Sequence, residues 1–194
     1  MNSKKKLWII ILALVLLIAG ASVLYSKLST GVSNEQLSGQ EGSEQEKGSS
    51  QQQGKQKSKA LDFAVYDKDG KRVGLSDYFG KPIVLNFWAS WCGPCQMEMP
   101  DFEALYKERG DEINFLMVNL TDGSRETQEK ADEYIREQGF TMPVYYDLDS
   151  DAANTYGAYS IPMTFFIDKD GYLVARATGA LDSETLQEGI AMIE

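Results

Sequence analysis

Residues 82–95 read PIVLNFWASWCGPC, and this stretch decides the fold. The first eight residues, 82–89, form a nearly continuous apolar run, which is typical of a central strand covered on both faces. A helix is predicted directly afterwards, over residues 94–109, with Pro94 at its start. Cys92 is therefore predicted to lie where a buried strand ends and a helix begins.

The pair Cys92 and Cys95 at this position predicts redox chemistry. Unpaired backbone N–H groups at a helix N-terminus favour a thiolate, and thiols in C-x-x-C settings can have pKa values lowered to roughly 3.5–7.5. The thiolate is the attacking species in disulfide exchange. We predict that Cys92 is the nucleophile and that the more buried Cys95 resolves the mixed disulfide. Gly93 and Pro94 keep the intervening loop tight.

The rest of the chain after residue 60 predicts an α/β fold, with strands and helices in alternation. Apolar alternation, turn signals and helix caps support each element. The predicted elements are strand 61–66, a turn at 68–70, a short strand ending near Leu75 with Ser76 capping the next turn, strand 82–89, helix 94–109, strand 113–120, helix 125–138 ended by Gly139, a hairpin of strands 164–167 and 172–178 around the turn 168–171, and helix 183–193.

Residues 1–28 are predicted to be a cytoplasmic stub and a single transmembrane signal-anchor. Three lysines at positions 4–6 precede an uncharged run over 7–25, whose length as a helix is roughly 28 Å, about one hydrocarbon thickness. The lysines indicate a cytoplasmic N-terminus, which places the rest of the chain outside. A cleaved signal peptide stays open as the alternative, because the small residues 19–21 fit a cleavage site. Both interpretations export the domain.

Residues 29–59 predict a disordered linker. They consist mainly of Ser, Gly, Gln, Glu and Lys, which bury too little apolar surface to offset chain entropy. A coil of this length has a root-mean-square reach of roughly 30 Å. The folded domain is accordingly assigned to residues 60–194.

The charge is distributed unevenly along the chain. The formal net charge is −10, yet residues 1–59 carry 8 basic and 4 acidic side chains, whereas residues 60–194 carry 11 and 25. Such an acidic domain repels phosphate backbones, so nucleic acid is not expected among its partners. We expect a monomer.

The absence of histidine excludes Ser-His and Cys-His catalysis as well as histidine ligation of metals. Two cysteines supply only half of a four-thiolate zinc site. We therefore expect no metal and no cofactor beyond the Cys92–Cys95 disulfide itself.

Two other interpretations of the cysteine pair are less favoured. A purely structural disulfide that closes so short a loop stabilises a protein by only roughly 2 kcal/mol. Buried reduced cysteines acting as small hydrophobes fit poorly with export and with the strand-to-helix position. Redox exchange accounts for the short loop, the export and the strand-to-helix position of the two cysteines.

Several segments together resemble the thioredoxin superfamily. They are NFWASWCGPC at 86–95, Pro100, and SIPMTFFID at 160–168. The segments LDFAVYDKDG at 61–70 and LSDYFGKPIVLNFW at 75–88 are similar to the TlpA/ResA-like redoxin branch, whose members are membrane-anchored. The resemblance implies a thioredoxin-like fold, with a central mixed sheet flanked by helices, an extra N-terminal strand pair and an inserted helix and strand within 124–158.

The resemblance also implies roles for residues outside the C-x-x-C motif. Pro162 is expected to be cis and to face the Cys92 sulfur, and the backbone at Ile161 is expected to pair with an extended partner peptide. Trp91 is expected to shield the sulfurs. Tyr159 and Met163, which flank this loop, stand where relatives carry smaller or more polar residues, and we take them as candidates for partner choice.

One position departs from the thioredoxin pattern and affects proton transfer. Asn86 stands where thioredoxins usually carry a buried aspartate that exchanges protons with the resolving thiol, and an amide cannot take that proton. Glu98 lies one turn after Cys95 on roughly the same helix face and is a candidate replacement. Spacing alone favours the plainer interpretation, in which Glu98 is an exposed carboxylate without a role.

The leading functional hypothesis is an extracytoplasmic thiol-disulfide oxidoreductase that takes electrons from a membrane thiol donor and reduces disulfides of exported client proteins. A disulfide-forming oxidant has the same motif. A redoxin-type thiol peroxidase is a further alternative, although Ala89 occupies the position where such enzymes carry threonine. A metallochaperone that adds Met97, Met99 or Met163 to the two thiolates is the non-enzymatic alternative.

Overall fold

The structure is a computed structural model that describes residues 58–194. One eight-stranded sheet, in the order β1-β8-β7-β4-β5-β6-β2-β3, organises these residues. The strands are β1 Ser58–Lys59, β2 Ala64–Tyr66, β3 Arg72–Gly74, β4 Ile83–Trp88, β5 Asn114–Asn119, β6 Val144–Tyr146, β7 Met163–Ile167 and β8 Tyr172–Thr178. The helices are α1 Gly93–Arg109, α2 Gln128–Gln138, α3 Asp151–Tyr156 and α4 Ser183–Ala191, with a 3-10 turn at Leu75–Tyr78.

The sheet is mixed, as predicted. Strand β4 runs parallel to β5, and β5 runs parallel to β6, whereas the other neighbouring strands are antiparallel. The antiparallel pair β2–β3 is the extra N-terminal strand pair, and α2 with β6 is the inserted helix and strand. The thioredoxin-like α/β fold is confirmed.

Strand β4 lies at the centre because five of its six side chains are apolar and they occupy both faces. Val84 and Trp88 join the core cluster that contains α1, whereas Ile83, Leu85 and Phe87 join the cluster on the opposite face. All six residues of the strand are buried. The buried strand therefore fixes the start of the loop that contains Cys92.

Helix α1 is fixed at its N-terminal end by packing against the sheet. Its inward side chains Cys95 and Met99 share a core cluster with Leu186 and Ile190 of α4. Both Cys95 and Met99 are fully buried. The first turn of α1 is therefore set by tertiary contacts as well as by its own hydrogen bonds.

Three local predictions differ from the structure. Strand 61–66 begins only at Ala64, and Leu61 is exposed. Ser76 lies inside the 3-10 turn, whose cap is Gly74, because Asp62 accepts hydrogen bonds from the Ser76 backbone and hydroxyl. Short helix α3 lies within the predicted insertion but was not predicted as an element.

The predicted helix 125–138 begins later, at Gln128. The side chain of Thr127 caps it by accepting from the backbone N–H of Lys130. The preceding residues form a loop because the Asp122 carboxylate accepts from the backbone N–H groups of Ser124 and Glu126. The predicted end at Gly139, which adopts the left-handed conformation, is confirmed.

The boundary between linker and domain lies earlier than predicted. Ser58 and Lys59, assigned to the linker, form β1 and pair with β8. Lys59 Nζ donates to the Asp170 carbonyl and lies 4.7 Å from the centroid of the Tyr172 ring. Strand pairing and this cation–π contact therefore hold a segment that has no apolar residues from which a strand could be predicted. The remaining predicted linker and the predicted membrane span lie outside the described residues. Among residues 58–194, no helix has the length and apolar character that crossing a membrane requires.

Candidate active site

The site is built around a disulfide at the N-terminus of α1. Cys92 is the N-cap residue, and its Sγ accepts a hydrogen bond of 3.2 Å from the backbone N–H of Cys95. The two cysteines form the disulfide. Pro94 occupies the first turn, while Gly93 begins the helix. Cys92 retains 4% of its surface and Cys95 none, so Cys92 is the more accessible of the two buried cysteines.

The loop before β7 lies against this sulfur. The peptide bond between Ile161 and Pro162 is cis, as the resemblance implies. The Ile161 carbonyl oxygen is 3.7 Å from Cys92 Sγ, and the Pro162 carbonyl accepts from the backbone N–H of Gly179 at the end of β8. Two adjacent strands therefore hold this loop next to the disulfide.

Aromatic side chains form the rim of the site. Trp91 is 41% exposed and Tyr159 is 78% exposed. The guanidinium carbon of Arg125 lies 3.4 Å from the centroid of the Trp91 ring, a stacking contact that holds the indole on the surface. Beside the rim is an open cavity of about 280 Å³, whose lining includes Trp91, Leu120, Asp122, Tyr159 and Ile161.

Glu98 differs from the favoured prediction of an exposed carboxylate. It is only 1% exposed, because it faces the sheet from α1. Its Oε1 accepts from Asn86 Nδ2 at 2.8 Å, and its Oε2 accepts from the backbone N–H of Leu181 at 2.8 Å. Burial raises the pKa of Glu98 to about 7, against the lowering effect of these two hydrogen bonds. The carboxyl group therefore changes protonation state near neutral pH.

A second buried carboxylate, Glu126, was missed by sequence reasoning. It accepts hydrogen bonds from the backbone N–H and the hydroxyl of Ser90 and from the side-chain amide of Asn119. It thereby ties the segment immediately before Trp91 and Cys92 to the end of β5. Nothing in the spacing of the acidic residues distinguishes Glu126 from its solvated neighbours, because its partners lie on other elements.

We expect Glu126→Gln to lower the free energy of unfolding by about 1–3 kcal/mol. The substitution replaces three charge-assisted hydrogen bonds by weaker neutral ones, and the Ser90 hydroxyl must reverse to accept from the new NH₂ group. Denaturant unfolding of the oxidised protein measures the change. Glu133→Gln on α2 is the matched control, because its carboxylate is exposed and its ion pair with Arg136 spans 3.7 Å. Equal unfolding midpoints for the two variants would show that Glu126 does not brace the loop.

The methionines considered as soft-metal ligands do not share one environment. Met97 is 70% exposed, whereas Met99 is fully buried in the core and Met163 lies in the core cluster of the opposite face. Within residues 58–194, no group of three or more cysteine, aspartate or glutamate side chains is arranged to hold a metal ion.

Comparison with known proteins shows the family of this chain. Residues 57–176 match the AhpC/TSA family. The chain belongs to this family. It is 36% identical over 137 residues to the thiol-disulfide oxidoreductase ResA of Bacillus thuringiensis subsp. konkukian, an alignment that covers 69% of this chain and 76% of the relative.

Two solved structures share this fold. The crystal structure of StoA from Bacillus subtilis superposes with a TM-score of 0.58 at 26% identity, covering 66% of this chain and 96% of StoA. The pneumococcal exposed lipoprotein thioredoxin Etrx1 from Streptococcus pneumoniae gives 0.55 at 38% identity, covering 66% and 98%. The resemblance to ResA-like proteins of the thioredoxin superfamily is confirmed, and the chain is a thiol-disulfide oxidoreductase.

Proposed function

We propose that this protein reduces disulfides of exported client proteins, with Cys92 as the attacking thiolate and Cys95 as the resolving thiol. The observation that carries the proposal is the disulfide at the start of α1, whose more accessible sulfur, that of Cys92, lies 3.7 Å from the carbonyl of the cis Ile161–Pro162 peptide. A helix N-terminus stabilises a thiolate at Cys92, and a carbonyl at this distance marks where an extended peptide can pair.

The reaction balances as two thiol-disulfide exchanges. In the reduced protein, the Cys92 thiolate attacks one sulfur of the client disulfide, forms a mixed disulfide and releases the other client sulfur as a thiolate, which takes a proton. Cys95 then loses its proton and attacks Cys92 Sγ, which breaks the mixed disulfide and releases the second client thiol. The client gains two electrons and two protons, and the protein ends as the disulfide form.

Glu98 is the group that we assign to the proton of Cys95. The two residues are one helical turn apart on the inward face of α1, and both are buried. A carboxyl group with a pKa of about 7 is suited to take a proton and return it near neutral pH. Glu98 thereby replaces the aspartate that is absent at position 86.

We place the client peptide along Ile161, between Trp91 and Tyr159. Its backbone pairs with that of Ile161, and the side chain next to its cysteine enters the neighbouring cavity. The acidic surface of the domain favours clients with a basic face near the disulfide.

The location that we propose is the extracytoplasmic face of the cell membrane, with the segment 7–25 as a single-pass anchor. The uncharged run and the lysines that precede it support this orientation. A thiol donor in the membrane restores the dithiol after each cycle. The chain acts as a monomer and requires no cofactor other than its own disulfide.

A stoichiometric reduction assay tests this function. The full-length protein is reduced, freed of small thiols and mixed with a disulfide-containing exported protein, and the thiols of both proteins are counted by mass after alkylation. We expect one client disulfide to be lost for each Cys92–Cys95 disulfide that forms, and no reaction for Cys92→Ser. Faster oxidation of the dithiol by hydrogen peroxide than by any client would instead indicate a peroxidase.

A further inference from the structure

Asn86 occupies an unusual position for an amide. It lies at the centre of β4 without any exposed surface and on the sheet face that α1 covers. Its Nδ2 donates to Glu98 Oε1 at 2.8 Å and to Thr164 Oγ1 at 3.0 Å, and Thr164 is its cross-strand partner on β7. Both Asn86 and Thr164 are fully buried. Asn86 of β4, Glu98 of α1 and Thr164 of β7 thus form one buried hydrogen-bonded cluster.

The chemistry of this group matches a carboxyl that changes its protonation state. An ionised Glu98 can only accept hydrogen bonds, whereas a protonated one must also donate. The side-chain amide of Asn86 and the hydroxyl of Thr164 can each donate or accept. A half-turn of the amide exchanges Nδ2 for Oδ1, so the same pair can serve either form of Glu98 without movement of the backbone.

The side-chain oxygen of Asn86 is unpaired within the described part of the oxidised protein. Asn86 Oδ1 is buried and accepts no hydrogen bond from any residue within 58–194 while the cysteines form the disulfide. A buried acceptor without a donor is unfavourable, and it gains stability when a donor arises nearby. A half-turn of the amide brings this oxygen toward Glu98, where it can accept from the O–H that forms when the carboxyl takes a proton from Cys95.

Among the contacts of Glu98 in the described part of the chain, the one with Asn86, which also bonds Thr164, can switch between donating and accepting. On the side of α4, the backbone N–H of Leu181 donates to Oε2 and cannot reverse. The neighbouring Asp182 carboxylate is exposed and accepts from the backbone N–H of Thr185. The contributions that shift the pKa of Glu98 are burial and the hydrogen bonds from Leu181 and Asn86, with no charged side chain among them.

We propose that Asn86 and Thr164 are positioning residues, a reversible amide–hydroxyl pair that hydrogen bonds Glu98 in both protonation states during proton exchange with Cys95. The inference rests on the proposed function, in which Glu98 takes that proton. It also accounts for asparagine at position 86. A second carboxylate there could not donate to ionised Glu98 and would repel it.

The test follows the titration of the Glu98 carboxyl by carbon NMR in the full-length protein, with Glu98→Gln to identify its signal. The variants are Asn86→Leu, which removes the amide at similar volume, and Thr164→Val, which removes only the hydroxyl. Thr164→Ser is the matched control that restores it. Each variant is also assayed for the pH dependence of client reduction, and its fold is checked by near-UV circular dichroism.

We expect Asn86→Leu to raise the Glu98 midpoint by about one pH unit, because the charge-assisted hydrogen bond lost by the ionised form is stronger than the neutral one lost by the protonated form. Thr164→Val should shift it in the same direction by a smaller amount, and Thr164→Ser should restore it. The pH profile of client reduction should move with the midpoint. A folded Asn86→Leu or Thr164→Val protein with an unmoved midpoint would overturn the inference.

Failure of the proposed function is distinguishable from failure of this inference. If the parent protein reduces no client disulfide, the proposed function falls. If the parent does reduce clients but Glu98→Gln leaves the pH profile unchanged, Glu98 is not the proton acceptor, and the positioning role falls with it. If Glu98→Gln changes the profile while both the Asn86 and Thr164 variants leave it unchanged, only the positioning role is overturned.

Discussion

Replacing Cys95 by serine is expected to stop the reaction at the mixed disulfide and to reduce turnover by about three orders of magnitude or more. Cys92 still attacks the client, but no thiol remains to release it, because serine cannot attack the Cys92–client bond. Clients should therefore accumulate as covalent adducts. Non-reducing electrophoresis followed by mass spectrometry of the adducts measures both their amount and the client cysteine involved.

Cys92→Ser is the matched control for this trap. The substitution is the same and lies on the same helix turn, but it removes the more accessible sulfur and leaves the fully buried Cys95. We expect it to form no adducts. Comparable adducts from both variants would contradict the assignment of Cys92 as nucleophile, and an absence of adducts with exported proteins in the Cys95 variant would contradict the client hypothesis.

Glu98 is expected to make the protein less stable as the pH rises through neutrality. Burial raises the pKa of Glu98 from 4.5 to about 7 in the folded state. Between these values the folded protein holds a proton that the unfolded chain has lost. The favourable contribution is therefore complete below pH 4.5 and is lost as the pH rises through 7, in total about 3 kcal/mol.

Glu98→Gln removes this titration. We expect the difference in unfolding free energy between the variant and the parent to change by about 3 kcal/mol in favour of the variant from pH 4.5 to pH 8. Using the difference cancels the contributions of the other carboxylates. Glu133→Gln at an exposed position of α2 is the matched control for the substitution itself. A difference for Glu98→Gln that does not vary with pH would show that this carboxyl ionises normally.

The sequence was sufficient to predict the elements that bury a continuous apolar face. The run 82–89 could be recognised as a central strand because both faces of β4 contact the core. Gly139 marked the end of α2 through its left-handed conformation. The position of the cysteines at the start of α1 followed from these local signals.

The elements that were missed depend on partners distant in sequence. Strand β1 consists of two residues, both exposed, and it forms through pairing with β8. Helix α3 has six residues, too few to show a helical period in the sequence. Glu98 was expected to be exposed because its acceptor role depends on Leu181, 83 positions away. Glu126 is likewise buried by Ser90 and Asn119 on other elements. No local pattern encodes these contacts.

The central claim is that the Cys92–Cys95 couple is a reductant, and its reduction potential tests this most directly. Equilibration of the full-length protein with glutathione or dithiothreitol buffers, followed by alkylation and mass analysis of the two cysteines, gives the value at pH 7. We predict a potential between about −270 mV and about −200 mV, the values of thioredoxin and of the glutaredoxins. A value near −120 mV, typical of proteins that insert disulfides, would contradict it.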